Sequence, residues 1–368
     1  MLALTACAKP DDKPATAKEV ASKMGMGINL GNTFDRPIQP SDAHSVKQQI
    51  TLFAEAGFPN VRIPVTWGDA SMDQLIDEEG RLLKSSPRLQ SLIQAVDHAI
   101  ELDLFVIINM HHEDWLKQNI TQTDTKLTQR FATAWQEIAT LFADYDHRLM
   151  FEVLNEPDGA MGEVGTDVLP TDLAAQALTR KINLIGYEAI RSVPGNETRI
   201  VLVAPNGMGN YAMAPVIYPT PDSLPGAGKD PYLMITLHTY DPWDFCGEDG
   251  NNSVFLDEAK PFEALQEKLD AIVEATAEWA KSMPVGIHWG EFGVGRRNGE
   301  QRDHDIVRLY YSYFPKKILE KNWGGTVWDD RGWYGISKTV SEIQPGDSSW
   351  HYGLDKALLG SQKDSSED

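Results

Sequence analysis

Cysteine is almost absent from this 368-residue chain. Only Cys7 and Cys246 are present, too few for a disulfide framework. Long apolar runs are missing as well: no stretch reaches 18 residues, so no transmembrane helix is encoded. Basic residues are in deficit, with 33 Lys+Arg against 54 Asp+Glu and a net charge of −21. That balance argues against nucleic acid, anionic lipid surfaces and phosphate-rich substrates, all of which ask for a basic patch, and it suits a neutral substrate. No early strand is followed by a Gly-rich phosphate turn, which argues against an open doubly wound nucleotide fold. For a metal-dependent hydrolase the chain offers only His111-His112-Glu113-Asp114. These four residues are contiguous, so they diverge, and no His pair has the spacing of a metal-binding helix. No metal and no cofactor are expected.

Apolar content is ample, at 42% hydrophobic with ten tryptophans, enough for a large core. From Ala21 onward, short apolar runs alternate with stretches of helical periodicity, the sign of parallel βαβ units. Strands are expected at Met26–Leu30, Asn60–Val65, Leu104–Met110, from Leu149, at Arg199–Ala204, Tyr232–Thr239, Val285–Gly293 and Gly325–Asp329. Helices are expected at Ala43–Ala56, Pro87–Leu102, Thr125–Tyr145, Thr171–Val193, Phe262–Lys281, Asp303–Lys321 and Ser349–Leu359, with a Pro/Gly/Asn-rich loop at Pro205–Pro231. Eight such repeats predict a single (β/α)8 TIM barrel over 21–360. The tail Ser361–Asp368 reads as disordered. At the other end Leu4-Thr5-Ala6-Cys7 resembles a bacterial lipobox followed by a Pro/Ala/charge-rich tether at Lys9–Lys18. The apolar part before it is short and lacks a basic start. Export as a secreted or lipidated protein therefore stands beside chance likeness as a reading of residues 1–20.

In a barrel, chemistry sits at the carboxyl ends of the strands. Leu149–Pro157 reads LMFEVLNEP, a buried-looking strand that stops on Asn155, Glu156 and Pro157. Val285–Gly293, VGIHWGEFG, repeats the design and ends on Glu291. Two strand-end glutamates suggest the paired carboxylates of glycoside hydrolysis, one kept protonated and one ionised. Neighbours take roles by type. Asn155 can bond a sugar 2-hydroxyl, Arg62 can hold a carboxylate ionised, Tyr240 can donate to it and His238 can orient the network. Trp328, with Trp67, Trp115, Trp243 and Trp333, offers flat faces for pyranose rings. His111 and His112 end strand three. Glu152 reads as a buried ion-pair partner, Trp279 as packing, and Cys246 as an inert thiol without a base at hand. A non-catalytic glycan-binding barrel using the aromatics alone is the competing class.

GINLGNTFD (Gly27–Asp35), VRIPVTW (Val61–Trp67), VIINMHHED (Val106–Asp114), FEVLNEP, ITLHTYDPWDF (Ile235–Phe245), GEFG (Gly290–Gly293) and the strand around Trp328 follow one another in order. Together they resemble glycoside hydrolase family 5, the retaining β-glucanases also called cellulase family A. The resemblance implies Glu156 as acid/base and Glu291 as nucleophile. Arg62, His111, Asn155, His238, Tyr240 and Trp328 would complete the site, with His112 and Trp243 beside the substrate. It also implies a metal-free, exported monomer that acts on β-1,4-glucan as an endoglucanase, with mannanase or xyloglucanase as the alternatives. Val327 and Asp329-Asp330 depart from the family pattern, as does His288-Trp289 before the nucleophile, and they leave the wall of the glycone subsites open.

Overall fold

Eight strands of three to seven residues close into one parallel barrel in chain order. They are β1 Met26–Asn29, β2 Asn60–Ile63, β3 Phe105–Asn109, β4 Leu149–Glu152, β5 Val201–Val203, β6 Leu233–Thr239, β7 Gly286–Phe292 and β8 Gly324–Val327. A computed structural model describes residues 14–36, 43–163 and 169–364. The strands are buried almost throughout because both of their faces are covered, side chains inside and helices outside. Helices Ala43–Ala56, Pro87–Glu101, Thr125–Leu141, Leu173–Arg191, Pro261–Ala280 and Asp305–Leu319 form the outer ring. Several begin on a side-chain cap that satisfies free N–H groups: Ser86 with Pro87 behind it, Asp124 and Asp172. Among the described residues no helix is long and apolar enough to cross a membrane.

The barrel interior has two layers of opposite character. Ile107, Met150, Leu202 and Met234 form an apolar lower layer together with Ala17, Val20, Ala21 and Met24. Above it lie Asn29, Arg62, Asn109, Glu152, Thr236, His288 and Thr326, all buried and polar. The polar layer is tolerated because its members bond to one another and to strand carbonyls.

Two expectations need correction. The tether reading of Lys9–Lys18 fails from Ala17 onward, where Ala17–Met24 is a helix that plugs the barrel floor. Its capping box is legible: Thr16 and Glu19 exchange hydrogen bonds in both directions. The Leu4–Cys7 motif lies outside the described residues. At the other end the last helix runs over Leu354–Asp364, not Ser349–Leu359, so 361–364 are ordered; residues 365–368 lie outside the description. Leu354 and Leu358 are buried, and the Gln362 amide pairs with both the N–H and the carbonyl of Met26 at the start of β1. The loop expected after β5 is present. The Pro205–Pro231 stretch holds only turns of three or four residues.

Met24 is fully buried and packs where a side chain at Gly324 would otherwise sit. Met24→Ala should lower unfolding stability by about 2–4 kcal/mol in urea denaturation. A loss below about 0.5 kcal/mol would show that the floor helix is not part of the folding unit.

Candidate active site

Glu156, His238 and Glu291 meet at the carboxyl-terminal mouth of the barrel. One carboxylate oxygen of Glu156, one of Glu291 and a ring nitrogen of His238 all lie within 4.8 Å of one another. Two backbone features bring the glutamates there. After β4 the Val153 N–H bonds the Leu202 carbonyl and the Asn155 N–H the Met110 carbonyl, and the chain is left-handed at Glu156, whose φ is +44°. That left-handed residue, fixed ahead of Pro157, stores strain at the mouth.

In β7 the device is a bulge. Leu237 of β6 pairs with Trp289, but His238 pairs with Glu291, so Gly290 is an extra residue. Strand side chains alternate, and one extra residue reverses the parity. Glu291 therefore shares the inward face with His238 and His288. Only glycine fits at the bulge: a Cβ on Gly290 would lie 2.5 Å from Thr236 Oγ1 and 2.7 Å from His238 Nε2.

Arg62 sits beneath the pair with no exposed surface. Its Nε donates to Glu152 (2.7 Å), Nη1 to Asn29 (2.9 Å) and Glu291 (2.8 Å), and Nη2 to Glu152 (2.8 Å) and Asn155 (2.6 Å). All five guanidinium hydrogens are used. Tyr240 Oη donates to the second oxygen of Glu291 at 3.1 Å. His238 Nδ1 lies 3.0 Å from Glu156 and 3.8 Å from Glu291.

Burial pushes the Glu291 carboxyl above its ordinary range and the Glu156 charge adds to this, while His238 and Arg62 pull it down. Burial would also raise Glu156, but the hydrogen bond and charge of His238 hold it low. The two carboxyls titrate as a pair. The charge of Arg62 is permanent, whereas that of an imidazole is not. Arg62 bonds Glu291 directly, while Lys117 adds a weaker downward pull on Glu156.

The other expected residues divide into those at the mouth and those elsewhere. Trp328 follows β8 with its N–H on the Phe292 carbonyl, and His111 stacks on its ring at 5.9 Å and 4°. The Asn155 amide accepts from Arg62 through Oδ1, and its Nδ2 is buried without a partner among the described residues. His112 packs edge-on against His111, and burial pushes its imidazole down to about 4. Arg62 is a correction: with every hydrogen spent below the carboxylates it cannot touch a sugar. Trp67 and Trp115 are not platforms. Trp67 is fully buried with its indole N–H on the Asn109 carbonyl, and Trp115 lies under Arg130 and bonds Glu113. Trp243 and Trp333 are 53% and 43% exposed, and Arg297 lies over the Trp333 ring. Glu152 is the ion-pair partner its sequence position suggested, Trp279 packs, and burial pushes the Cys246 thiol far up.

The family model for cellulase (glycosyl hydrolase family 5) matches residues 21–329. The chain belongs to glycosyl hydrolase family 5. Endoglucanase H of Acetivibrio thermocellus is 30% identical over 319 residues, covering 85% of this chain. Endoglucanase A of Clostridium longisporum is 27% identical over 337 residues and 86% of the chain. The chain spans 30% of the length of the first and 59% of the second. Among solved structures, a family 5 subfamily 4 broad-specificity endoglucanase from Clostridium longisporum superposes with a TM-score of 0.75 at 22% identity, over 96% of this chain and 99% of that one. A family 5 lichenase of Caldicellulosiruptor sp. F32, solved with cellotetraose, gives 0.74 at 21% identity, over 95% and 98%. These two superpositions share the barrel.

Within this family 5 chain the unusual residues turn out to be internal. Val327 is buried, and Asp329 accepts N–H groups of Arg331 and Ile336 and the Ser337 hydroxyl, which ties the loop after β8 together. His288 is buried beside Thr236, and its imidazole is pushed down to about 3, burial being the main cause. Asp35 was not singled out from sequence, although it ends the GINLGNTFD motif. It is buried, shares a cluster with His111 and His112, and keeps Oδ2 without a partner among the described residues. This cluster does not fit a metal. Asn109 Oδ1 accepts the Val65 N–H, so its Nδ2 faces His111 Nδ1 and the ring hydrogen falls on Nε2. His111 then offers a donor next to the acceptor Asp35, an arrangement for hydroxyl groups. Of the contiguous His111–Asp114 run, His111 and His112 stay together, while Glu113 turns away to the Trp67 and Gly68 N–H groups.

Gly290→Ala should displace His238 from Glu156 and cut kcat about 100-fold, with KM little changed. Unchanged turnover in the folded variant would contradict the bulge as the feature that sets the pair.

Proposed function

We propose that this chain is a retaining endo-β-1,4-glucanase that works by double displacement, with Glu291 as nucleophile and Glu156 as acid/base. The observation that carries the reading is the approach of the two carboxylates to within 4.8 Å. Retaining glycosidases hold their carboxyls about 5–5.5 Å apart, whereas inverting ones leave about 6.5–9.5 Å for a water. The bonding of the two glutamates divides their labour. Glu291, under Arg62 and Tyr240, is the carboxylate whose anion is stabilised by fixed donors. Glu156 stands 3.0 Å from a single imidazole and can gain and lose a proton.

In the first step a Glu291 oxygen bonds to the anomeric carbon as the bond to the leaving oxygen breaks, and Glu156 gives that oxygen its proton. In the second step Glu156 takes a proton from water, the water oxygen attacks the anomeric carbon, and the bond to Glu291 breaks. Asn155 Nδ2 is the free donor for a 2-hydroxyl, His111 Nε2 and Asp35 Oδ2 suit hydroxyls further along, and the Trp328 ring offers its face to a pyranose.

The substrate class rests on the relatives, which are named endoglucanases, and on the lichenase solved with cellotetraose. The net charge of −21 suits a neutral polymer. Such a polymer does not cross a membrane, so the reading includes export, for which Leu4–Cys7 supplies a lipobox-like sequence.

The test is reducing-sugar release from carboxymethylcellulose, barley β-glucan, glucomannan, galactomannan and xylan, with Glu156→Gln and Glu291→Gln alongside. Release is expected chiefly from the two glucans and should fall about 1,000-fold or more in both variants. Preference for mannans would keep the mechanism and move the substrate. No release from any polymer would put a glycan-binding barrel first.

A further inference from the structure

The sugar released in the first step must lie against Glu156, which delivers its proton. Beside Glu156 runs the start of the loop after β5, Pro205–Asn210. Gly207, Met208 and Gly209 are consecutive left-handed residues, with φ of 64°, 58° and 72°. The loop is clamped on both sides of the acid/base residue. The Met208 N–H reaches the carbonyl of Pro157, the residue after Glu156, at 3.4 Å. On the other side Asn210 pairs in register with His238, and a Cβ on Gly209 would lie 3.1 Å from the His238 ring. Glycine occupies two of the three left-handed positions, as that conformation favours. The third carries a long apolar side chain that is 44% exposed and contributes little to the core. An exposed, strained apolar residue held by the neighbours of a reacting group calls for a use outside the fold.

We propose that Met208 forms the apolar face against which the leaving glucosyl unit packs, making it a specificity-determining residue on the aglycone side. A flexible, polarizable thioether suits the C–H face of a pyranose and adapts to more than one linkage. This inference rests on the endoglucanase reading above.

The test compares wild type, Met208→Gly and Met208→Leu on cellopentaose and on β-cellobiosyl fluoride, whose leaving group is a single atom and leaves the aglycone side empty. Met208→Gly should lose roughly 10-fold in kcat/KM on cellopentaose, with both constants on the fluoride within about 2-fold of wild type. Its Tm should hold or rise by about 1–2 °C, because glycine relieves the left-handed strain. Met208→Leu should stay within about 3-fold on both substrates. Turnover of the fluoride reports the step in which Glu156 acts as base. A parallel loss there would mean that Met208 acts by placing Glu156, and would overturn the proposal. So would an unchanged rate on cellopentaose in Met208→Gly. Wild type inert towards both substrates would defeat the endoglucanase reading itself.

Discussion

The Arg62 guanidinium is the interaction on which the rest of the site depends. It lies below the mouth of the barrel and gives all five of its hydrogens to Glu152, Glu291, Asn155 and Asn29. Burial alone would make it easier to deprotonate, but the two carboxylates reverse this and hold it charged. Burying a cation is costly, and removal of one partner from such a network typically costs about 3–5 kcal/mol. The arrangement is stable because every donor has an acceptor of matching geometry. It also has a geometric consequence: Glu291 is fixed beside a charge that does not titrate. Glu152 balances the rest of the guanidinium charge, and Asn155 gives its Oδ1 to Arg62, leaving Nδ2 without a partner among the described residues.

A barrel strand alternates its side chains in and out, and a carboxylate at its end is as apt to face a helix as the cleft. Two local departures from regular geometry resolve this. Gly290 adds one residue to β7 and brings Glu291 inward, and the left-handed turn at Glu156 swings its carboxylate over the mouth. Both depend on the layer beneath. Gly290 is seated on Thr236 and His238, while the stretch before Glu156 hangs on the Met110 carbonyl. The apolar floor, closed by Ala17–Met24, keeps the polar upper layer from reaching water at the opposite end.

The barrel was legible because its signal is repeated. Each strand is a short apolar run and each helix has an apolar stripe, so boundaries could slip by two or three residues without harm. Glu156 and Glu291 were legible because a carboxylate ending a buried strand is costly without a task. Other features have no local sequence signal of that kind. The bulge at Gly290 is one residue of register, visible only against its partner strand. The role of Asp35 depends on a cluster assembled from β1 and β3 loops. Gln362 looks like tail sequence, yet its amide completes the edge of β1. Arg62 was legible as the holder of a carboxylate, but only its four partner residues show that it lies beneath the pair. Thr16 and Glu19 did carry a readable capping signal, and the floor helix could have been inferred from it.

The central claim is that the two carboxylates stand too close for a water to attack from between them. Proton NMR of the hydrolysis of cellotetraose, recorded before mutarotation, tests this most directly. The account predicts that the β-anomer of the new reducing end appears first and the α-anomer only as mutarotation proceeds. Initial appearance of the α-anomer would mean inversion and would contradict the assignment of Glu291 as a nucleophile.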